Sequence, residues 1–550
     1  MKKEIIKTDF LIVGGGIAGL MAGIRASELG IDVIIAEKGA TKYSGAARAG
    51  NDHFMCYIPE IHGADMDLFI RDRMLAQRGD ILAALGPKVV RAWLERSYDI
   101  VKLWDEWGIP MKHNGKYVFE GHAFPGKTKT YLKYKGKNQK PILTQQAMDK
   151  GCRIMDRVMV FDLLGDENGV SGALGLDTRE DRLFVFLAKS VFLGTGTLIR
   201  IYPNVIPALW GNSNTPFTLS GDGRAMAYRL GAELFNMEMV ARHAGLKNYI
   251  RSGQGTWIGV CRDPQDQPVG KYITKPERSY HDMIMEVDKQ IFERYQKTGL
   301  GPVYMDCRGI SDGDHGHLLN ALEDEGNKSV LEHFKEEGVD LRKNPVEFST
   351  YEMRSIGRVV MNGKAETSVK GLYTGGEESV FSISGAATFG MIGGEHAVQY
   401  VKEAPSPEMG TVEDAVEKAM QFVEAFQQRK HGPDWADANR SLQHTMADYA
   451  GLARSQTMLE AGLRHLERLK TKLHNSCMAR DPWELTRCLE VVNLYDLAEL
   501  VFIGAMERKE SRGLHRRADY AYTDPLLNGK TLVIKKAHGK AVTEWRDIPR

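Results

Sequence analysis

The chain has 550 residues, 43% of them hydrophobic, with 73 Lys and Arg against 72 Asp and Glu for a net charge of +1. A chain of this length outgrows one core and calls for three or four structural units. Because the charges cancel, no field is strong enough to gather nucleic acid or an anionic membrane, and any anion site must be local.

Lys2 and Lys3 followed by the apolar stretch from Leu11 to Ile24 have the outline of a secretory signal. Asp9 interrupts the basic start, and cleavage would remove the motif that follows, so the stretch is read as the start of the fold. No segment approaches the roughly 20 apolar residues that span a bilayer, and a cytoplasmic location is expected. Phe10 to Val13 reads as a strand, Gly14, Gly16 and Gly19 supply the GxGxxG spacing, and a helix-like run follows. Gly14 permits the tight turn, Gly16 lets the backbone approach a pyrophosphate, and Gly19 lets helix pack on strand, while the helix N-terminus favours phosphate charge. Val33 to Ala36 reads as the second parallel strand, and Glu37, 18 residues past Gly19, is placed to accept hydrogen bonds from ribose hydroxyls. The ligand is a dinucleotide; the motif alone does not separate NAD from FAD.

Further along, Val170–Leu176 and Arg182–Leu187 form a hairpin pattern that leads into a strand ending at Gly194, Thr195 and Gly196. A later strand, Gly371 to Thr374, runs into Gly375, Gly376, Glu377 and Glu378. A glycine-rich run from Gly385 to Gly394 then opens a helix-like segment over Glu395–Lys402, whose positive end would face a flavin. Fingerprint, distant hairpin and a strand ending in Gly-Thr-Gly resemble the arrangement of FAD-binding oxidoreductases, and that resemblance implies FAD. The expected fold is therefore α/β: a Rossmann-like FAD-binding domain in two parts, 1–235 and 346–405, with an inserted α+β capping domain at 236–345 that holds substrate. Past Pro405 and Pro407, amphipathic runs at Val412–Arg429, Asp437–Tyr449, Gln456–Leu473 and Pro482–Lys509 predict a C-terminal helical domain over 406–525. The Lys- and Arg-rich residues 526–550 read as an extended tail. Cys56, Cys152, Cys261, Cys307, Cys477 and Cys488 show no CxxC and no zinc or iron–sulfur spacing, so they read as reduced, buried thiols and no metal site is expected.

Several segments carry a resemblance that covers nearly the whole chain: Leu11–Leu20, Glu37–Ala46, Ser220–Ala227, Gly231–Leu234, Gly301–Asp306, Lys370–Glu377 and Glu510–Arg516. In this order they resemble the flavoprotein subunits of the succinate dehydrogenase, fumarate reductase, aspartate oxidase and adenylylsulfate reductase superfamily. The resemblance adds Lys38, Ser44, Gly45, Ala46, Asp222, Glu377, Gly393 and Gly394 to Gly14, Gly16, Gly19, Glu37, Gly194, Thr195 and Gly196 as FAD-binding residues. In the succinate and fumarate enzymes a histidine after the serine bonds covalently to the flavin; this chain has Gly45 there, which implies non-covalent FAD.

The dicarboxylate set of that superfamily is mostly missing. His243 matches one substrate histidine, Met353 takes the place of the second, and Thr388 replaces an arginine in the glycine-rich segment. A buried dianion without cationic partners is costly, which argues against succinate or fumarate. The chain is most similar to the alpha subunit of adenylylsulfate reductase, through Ser44–Ala46, Trp104–Pro110, Gly394–Ala397 and Leu442–Tyr449. That resemblance implies a small anionic substrate and a ferredoxin-like iron–sulfur partner subunit, which would hold all the clusters; it leaves a higher oligomer open. His243 is the first candidate for a catalytic contact, as acid or hydrogen-bond donor, with Arg242 and Arg251 beside it; a solvated basic loop is the alternative. Trp257 stacks on a planar group such as adenine or packs in a core, and Arg512, His515 and Arg516 read as interdomain contacts. Two other functions stay open: a self-contained flavoenzyme like aspartate oxidase, and a flavin relay subunit that binds no small substrate.

Overall fold

The structure is a computed structural model that describes residues 1–76, 85–119, 128–203, 215–241, 244–247, 257–269, 274–275, 292, 295, 298–324, 327–350 and 354–548. Strand β1 (Lys2–Val13), helix α1 (Ile17–Glu28) and strand β2 (Val33–Glu37) form the opening βαβ unit, with β1 and β2 parallel. Helices α2 (Pro87–Glu106) and α3 (Gln139–Asp149) follow, then strands β3 (Arg153–Asp156), β4 (Val158–Asp166), β5 (Gly169–Asp177) and β6 (Arg182–Leu193). The sheet runs in the order β3, β2, β1, β6, β5, β4. The first half of β6 pairs with β5 in antiparallel fashion, which makes the expected hairpin.

The apolar runs of β1 and β2 are buried on both faces, as strands under two helical layers must be. Phe10, Ile12, Val33 and Ile35 pack with α1 and α2 in one core, whereas Leu11, Val13, Ile34 and Ala36 belong to a second core with the C-terminal helices. After α4 (Asp222–Arg229) and β7 (Leu234–Phe235), the chain builds a separate antiparallel sheet from β8 (Ala244–Leu246), β9 (Val260–Arg262), β10 (Val303–Asp306) and β11 (Val346–Thr350), in the order β8, β11, β10, β9. Helices α5 (Asp312–Asp324) and α6 (Lys328–Glu336) belong to the same unit. Its core includes Trp257, Met305, Leu318, Phe334 and Phe348. Trp257 is fully buried and meets Phe348 edge-on at 5.0 Å, so of its two readings the structure supports core packing.

The chain then returns through β12 (Arg358–Val359) to β13 (Leu372–Thr374), which lies parallel to the last residues of β6. Helix α7 (Ser382–Glu403) crosses α1, and the contact is close because Gly390 and Gly394 sit on the α1 backbone: a Cβ on Gly390 would lie 2.3 Å from the Ala18 carbonyl oxygen, and one on Gly394 2.6 Å from that of Ala22. The helical unit consists of α8 (Met409–Gln428), α9 (Trp435–Tyr449), α10 (Gln456–Ser476) and α11 (Pro482–Glu507). The reading of α11 as amphipathic is corrected: it is buried from Glu484 to Tyr495 without a break and forms the centre around which its neighbours pack.

Over its described residues, 526–548, the C-terminal segment also differs from the extended tail read for 526–550 in the sequence. Strands β14 (Lys530–Ala537) and β15 (Lys540–Asp547) form a hairpin that joins β7 and β12 in a sheet ordered β12, β7, β14, β15. Its turn residues His538 and Gly539 take φ values of 50° and 76°, as a tight hairpin turn requires. Leu532, Val533 and Ile534 are buried, and Arg546 grips both oxygens of Glu233 at 2.7 and 2.9 Å. No helix among the described residues is long and apolar enough to cross a membrane.

The α1–α7 crossing gives a stability test. Gly390→Ala places a methyl group in the α1 backbone and is expected to cost about 1–3 kcal/mol, read as a lower denaturation midpoint. Gly410→Ala, at a position in α8 with no neighbour within 4 Å, is expected to be neutral or stabilising by up to about 1 kcal/mol.

Candidate functional site: the FAD cradle

Four parallel strands end on one line, since Val13 is opposite both Ala36 and Leu193, and Leu193 is opposite Thr374. The turns at Gly14–Gly16, Glu37–Gly39, Gly194–Gly196 and Gly375–Glu378 therefore open on the same edge of the sheet, where α/β folds bind ligands. Gly14 has φ of 101°, and a Cβ there would stand 2.5 Å from the Gly194 carbonyl oxygen; one on Gly19 would stand 2.0 Å from that of Gly14. Gly194 is small for the same reason, as it packs on the backbone of Gly19. Helix α1 has no side-chain cap at Gly16, which leaves its N-terminal N–H groups for an anion. The Glu37 carboxylate accepts from the Gly15 and Gly39 amides at 2.8 and 2.7 Å and so stands at the fingerprint turn.

The turn at Ser44 and Gly45 lies over Gly16, with the Gly45 Cβ direction 4.0 Å from the Gly16 Cα. The Ser44 hydroxyl is buried without a hydrogen bond. Ala46 opens a 3-10 turn, Ala46–Ala49, held by Gln139, whose amide donates to the Ala47 carbonyl at 3.2 Å. Glu377 is half-buried, and its carboxylate makes no hydrogen bond among the described residues, whereas its carbonyl accepts from Arg224 and Arg358 at 2.5 and 2.6 Å. An uncapped helix end for the diphosphate, Glu37 on the adenosine side, an orphaned serine hydroxyl and an uncommitted carboxylate fit FAD. No nucleophile stands at Gly45, so the flavin is held without a covalent bond.

Two further residues hold these turns together, and the sequence reading missed both. Arg224, fully buried, donates to the Gly196, Gly357 and Glu377 carbonyls at 2.9, 2.8 and 2.5 Å. Glu378 accepts from the Gly196 and Gly376 amides at 2.7 and 3.1 Å; burial pushes its carboxyl up to about 7, with Arg224 pulling the other way. Each sits next to a motif the sequence does mark, Asp222 and Glu377. Thr195 contributes a tie through its side chain, accepting from the Gly223 amide at 3.1 Å.

Lys38 donates to Asp222 at 2.6 Å, Glu490 at 2.8 Å and Ser220 at 3.2 Å, which uses the three donors of its ammonium group. Asp222 is taken up by Lys38, Ser220 and Asn493. Glu490 also binds Arg200 at 2.5 Å and Arg487 at 2.8 Å. Burial opposes its charge, but Arg487, Lys38 and Arg200 carry the carboxyl down to about 2. Gly393 and Gly394 lie inside α7, where Gly393 packs on Phe192 and Gly394 on the backbone of Ala22. The helix begins at Ser382, not Glu395, so its positive end lies there. The first turn is anchored by Ser384, whose hydroxyl accepts from the Trp93 indole at 2.8 Å and donates to the Met55 carbonyl.

Arg242, His243 and Arg251, together with Met353, lie outside the described residues. Thr388 is fully buried in α7, and its hydroxyl has no hydrogen bond. Arg512 binds Glu510 at 2.8 Å, and His515 meets Arg454 at 3.0 Å. Burial, then Arg454 and Arg508, hold the His515 imidazole well below its usual range and so neutral. Arg508 pairs with Glu238 at 2.7 Å, so this motif joins the C-terminal segment to the chain entering the capping unit.

Glu490→Gln removes the carboxylate shared by Lys38, Arg200 and Arg487. It is expected to cost about 3–5 kcal/mol near pH 7. Since the folded carboxyl titrates below its unfolded value of 4.5, wild-type protein loses this contribution as pH falls from about 4.5 towards 2. Urea unfolding at several pH values should show the gap between the two proteins closing over that window.

Residues 9–387 match the FAD binding domain family, and residues 439–548 match the fumarate reductase flavoprotein C-terminal family. Among curated relatives, the chain is 26% identical to a fumarate reductase (CoM/CoB) chain of Methanothermobacter marburgensis, over 98% of each chain. It is 23% identical to L-aspartate oxidase of Streptomyces coelicolor, over 96% of this chain and 92% of that one. Among solved structures, adenylylsulfate reductase of Archaeoglobus fulgidus superposes with a TM-score of 0.83 at 23% identity, covering 100% of this chain and 96% of the other. An Escherichia coli quinol fumarate reductase chain gives a TM-score of 0.81 at 20% identity, covering 100% and 98%. At these identities the structural likeness speaks for the fold. With the family matches and the cradle, it follows that the chain belongs to the FAD binding domain family, carries a fumarate reductase flavoprotein C-terminal domain and is an FAD-dependent oxidoreductase.

Proposed function

We propose that the chain is the flavin subunit of an oxidoreductase that moves two electrons between a small anionic substrate and a ferredoxin-like iron–sulfur partner, in an assembly like adenylylsulfate reductase. The observation that carries the substrate half is Thr388: a buried, unpartnered hydroxyl occupies the α7 position at which the dicarboxylate enzymes of the resemblance hold an arginine. A clamp for a second carboxylate is lost at that point, whereas a substrate with a single anionic group needs fewer cations. The partner half follows from the resemblance: the six cysteines are free and buried, and no group of His, Cys, Asp and Glu among the described residues could hold a metal ion, so this reading assigns the clusters to a second chain. FAD, when bound, accepts or gives up an electron pair at the turns described above. Arg242, His243 and Arg251 are the residues proposed to bind substrate, with His243 moving a proton.

A second reading, a fumarate reductase, is favoured by the Methanothermobacter relative, which matches 98% of both chains. Anaerobic flavin absorbance separates the two. Photoreduced protein, with any co-purifying subunit, is mixed in turn with adenylylsulfate, fumarate and oxygen. Reoxidation by adenylylsulfate alone is the expected result. Reoxidation by fumarate overturns the first reading in favour of the second, response to oxygen alone points to a self-contained oxidase, and silence points to a relay subunit. His243→Ala is expected to lower turnover by about 10²-fold or more with bound flavin unchanged; retained turnover removes His243 from the reaction.

A further inference from the structure

The first turn of α3 reaches both walls of the cradle from behind. Gln139 holds the Ala47 carbonyl, and the next residue, Lys140, donates from Nζ to the carbonyl of Gly15, the middle glycine of the fingerprint turn. Lys140 is 1% exposed, an uncommon position for an ammonium group. The charged groups that face it are Glu37 at the end of β2 and Asp156 on β3. Both are already engaged: Glu37 accepts from the Gly15 and Gly39 amides, and Asp156 accepts from the Thr41 amide and hydroxyl at 2.8 and 2.6 Å. The Gly15 carbonyl is the one acceptor to which Lys140 donates among the described residues.

A trans peptide plane points its C=O and its N–H in opposite directions. The Gly15 carbonyl and the Gly16 N–H share one such plane, so drawing the carbonyl towards Lys140 turns the Gly16 N–H away from α3, to the uncapped start of α1. Glu37 fixes the preceding plane through the Gly15 N–H. The Gly16 amide is thus oriented before any ligand arrives, and the neighbouring ammonium polarises the peptide so that the N–H is a better donor to an anion.

We propose that Lys140 is a positioning residue for FAD: acting through the Gly15 carbonyl, its ammonium aims the Gly16 N–H at the diphosphate and makes retention of the cofactor depend on its own protonation. Burial pulls the ammonium down to about 8, against the upward pull of Glu37 and Asp156. Loss of that proton removes both the charge and the strong hydrogen bond, so the affinity for FAD falls as pH rises through this value.

Release of FAD from the holoprotein, followed by the rise in free-flavin fluorescence between pH 6.5 and 9, tests this. The wild-type release rate is expected to climb between pH 6.5 and 9 towards that of the methionine variant, at least about tenfold in all, and to level off about one pH unit above the titration point. Lys140→Met is expected to release FAD at least about tenfold faster at pH 7 and to lose the pH dependence. Lys140→Arg, whose guanidinium stays charged, is expected to hold FAD as wild type does at pH 7 and to show no rise. Wild-type release from Lys140→Met, or a wild-type pH rise in Lys140→Arg, overturns the proposal. Should the methionine variant fail to fold, the arginine variant decides alone, because a purely structural lysine would leave the pH profile unchanged.

Discussion

The alignment of strand ends in the main sheet is the constraint on which the site depends. Parallel pairing puts Ala36, Val13, Leu193 and Thr374 in one row, so turns from positions as far apart as Gly14 and Gly375 emerge side by side. Parallel strands need long crossovers, and here those crossovers carry whole units of the protein. Backbone-to-backbone contact then locks the row: Gly14, Gly19 and Gly194 meet at distances that no side chain tolerates. A cradle made of N–H groups and carbonyls results, and its polarity comes from the main chain.

Buried charge holds the rest in place. Lys38, Asp222, Glu490, Arg200 and Arg487 form one network between the second strand, α4 and the central helix of the C-terminal unit. Arg508, Glu238, Glu510 and Arg512 form another, between the C-terminal segment and the chain entering the capping unit. Such groups are expensive to bury unless each finds its partner, so both networks demand that units distant in sequence dock in one orientation. The cradle therefore inherits its rigidity from ion pairs between units distant in sequence.

Legibility in the sequence followed the range of the interactions. The fingerprint was readable because strand, turn, helix and acid occur within Phe10–Glu37, and local spacing suffices to place them. The ion pairs of Lys38 were not readable, because one of its partners, Glu490, lies 452 residues away along the chain. The close packing of Gly393 on Phe192 and of Gly394 on the Ala22 backbone could not be read, because glycine serves a turn and a close helix crossing equally well. Arg224 and Glu378 escaped notice since their partners are backbone atoms, which leave no pattern in a sequence.

By itself the sequence determined that a dinucleotide binds at the end of β1, that no nucleophile stands at position 45 to fasten a flavin, and that a helical unit follows Pro405 and Pro407. Those properties depend on residue type and short spacing. The tertiary structure decided which charged side chains remain for the cofactor and which are neutralised by one another, and it turned the C-terminal residues into a paired hairpin. A charge or a free strand edge takes its role from whatever faces it, and in a protein of this size that partner comes from far along the chain.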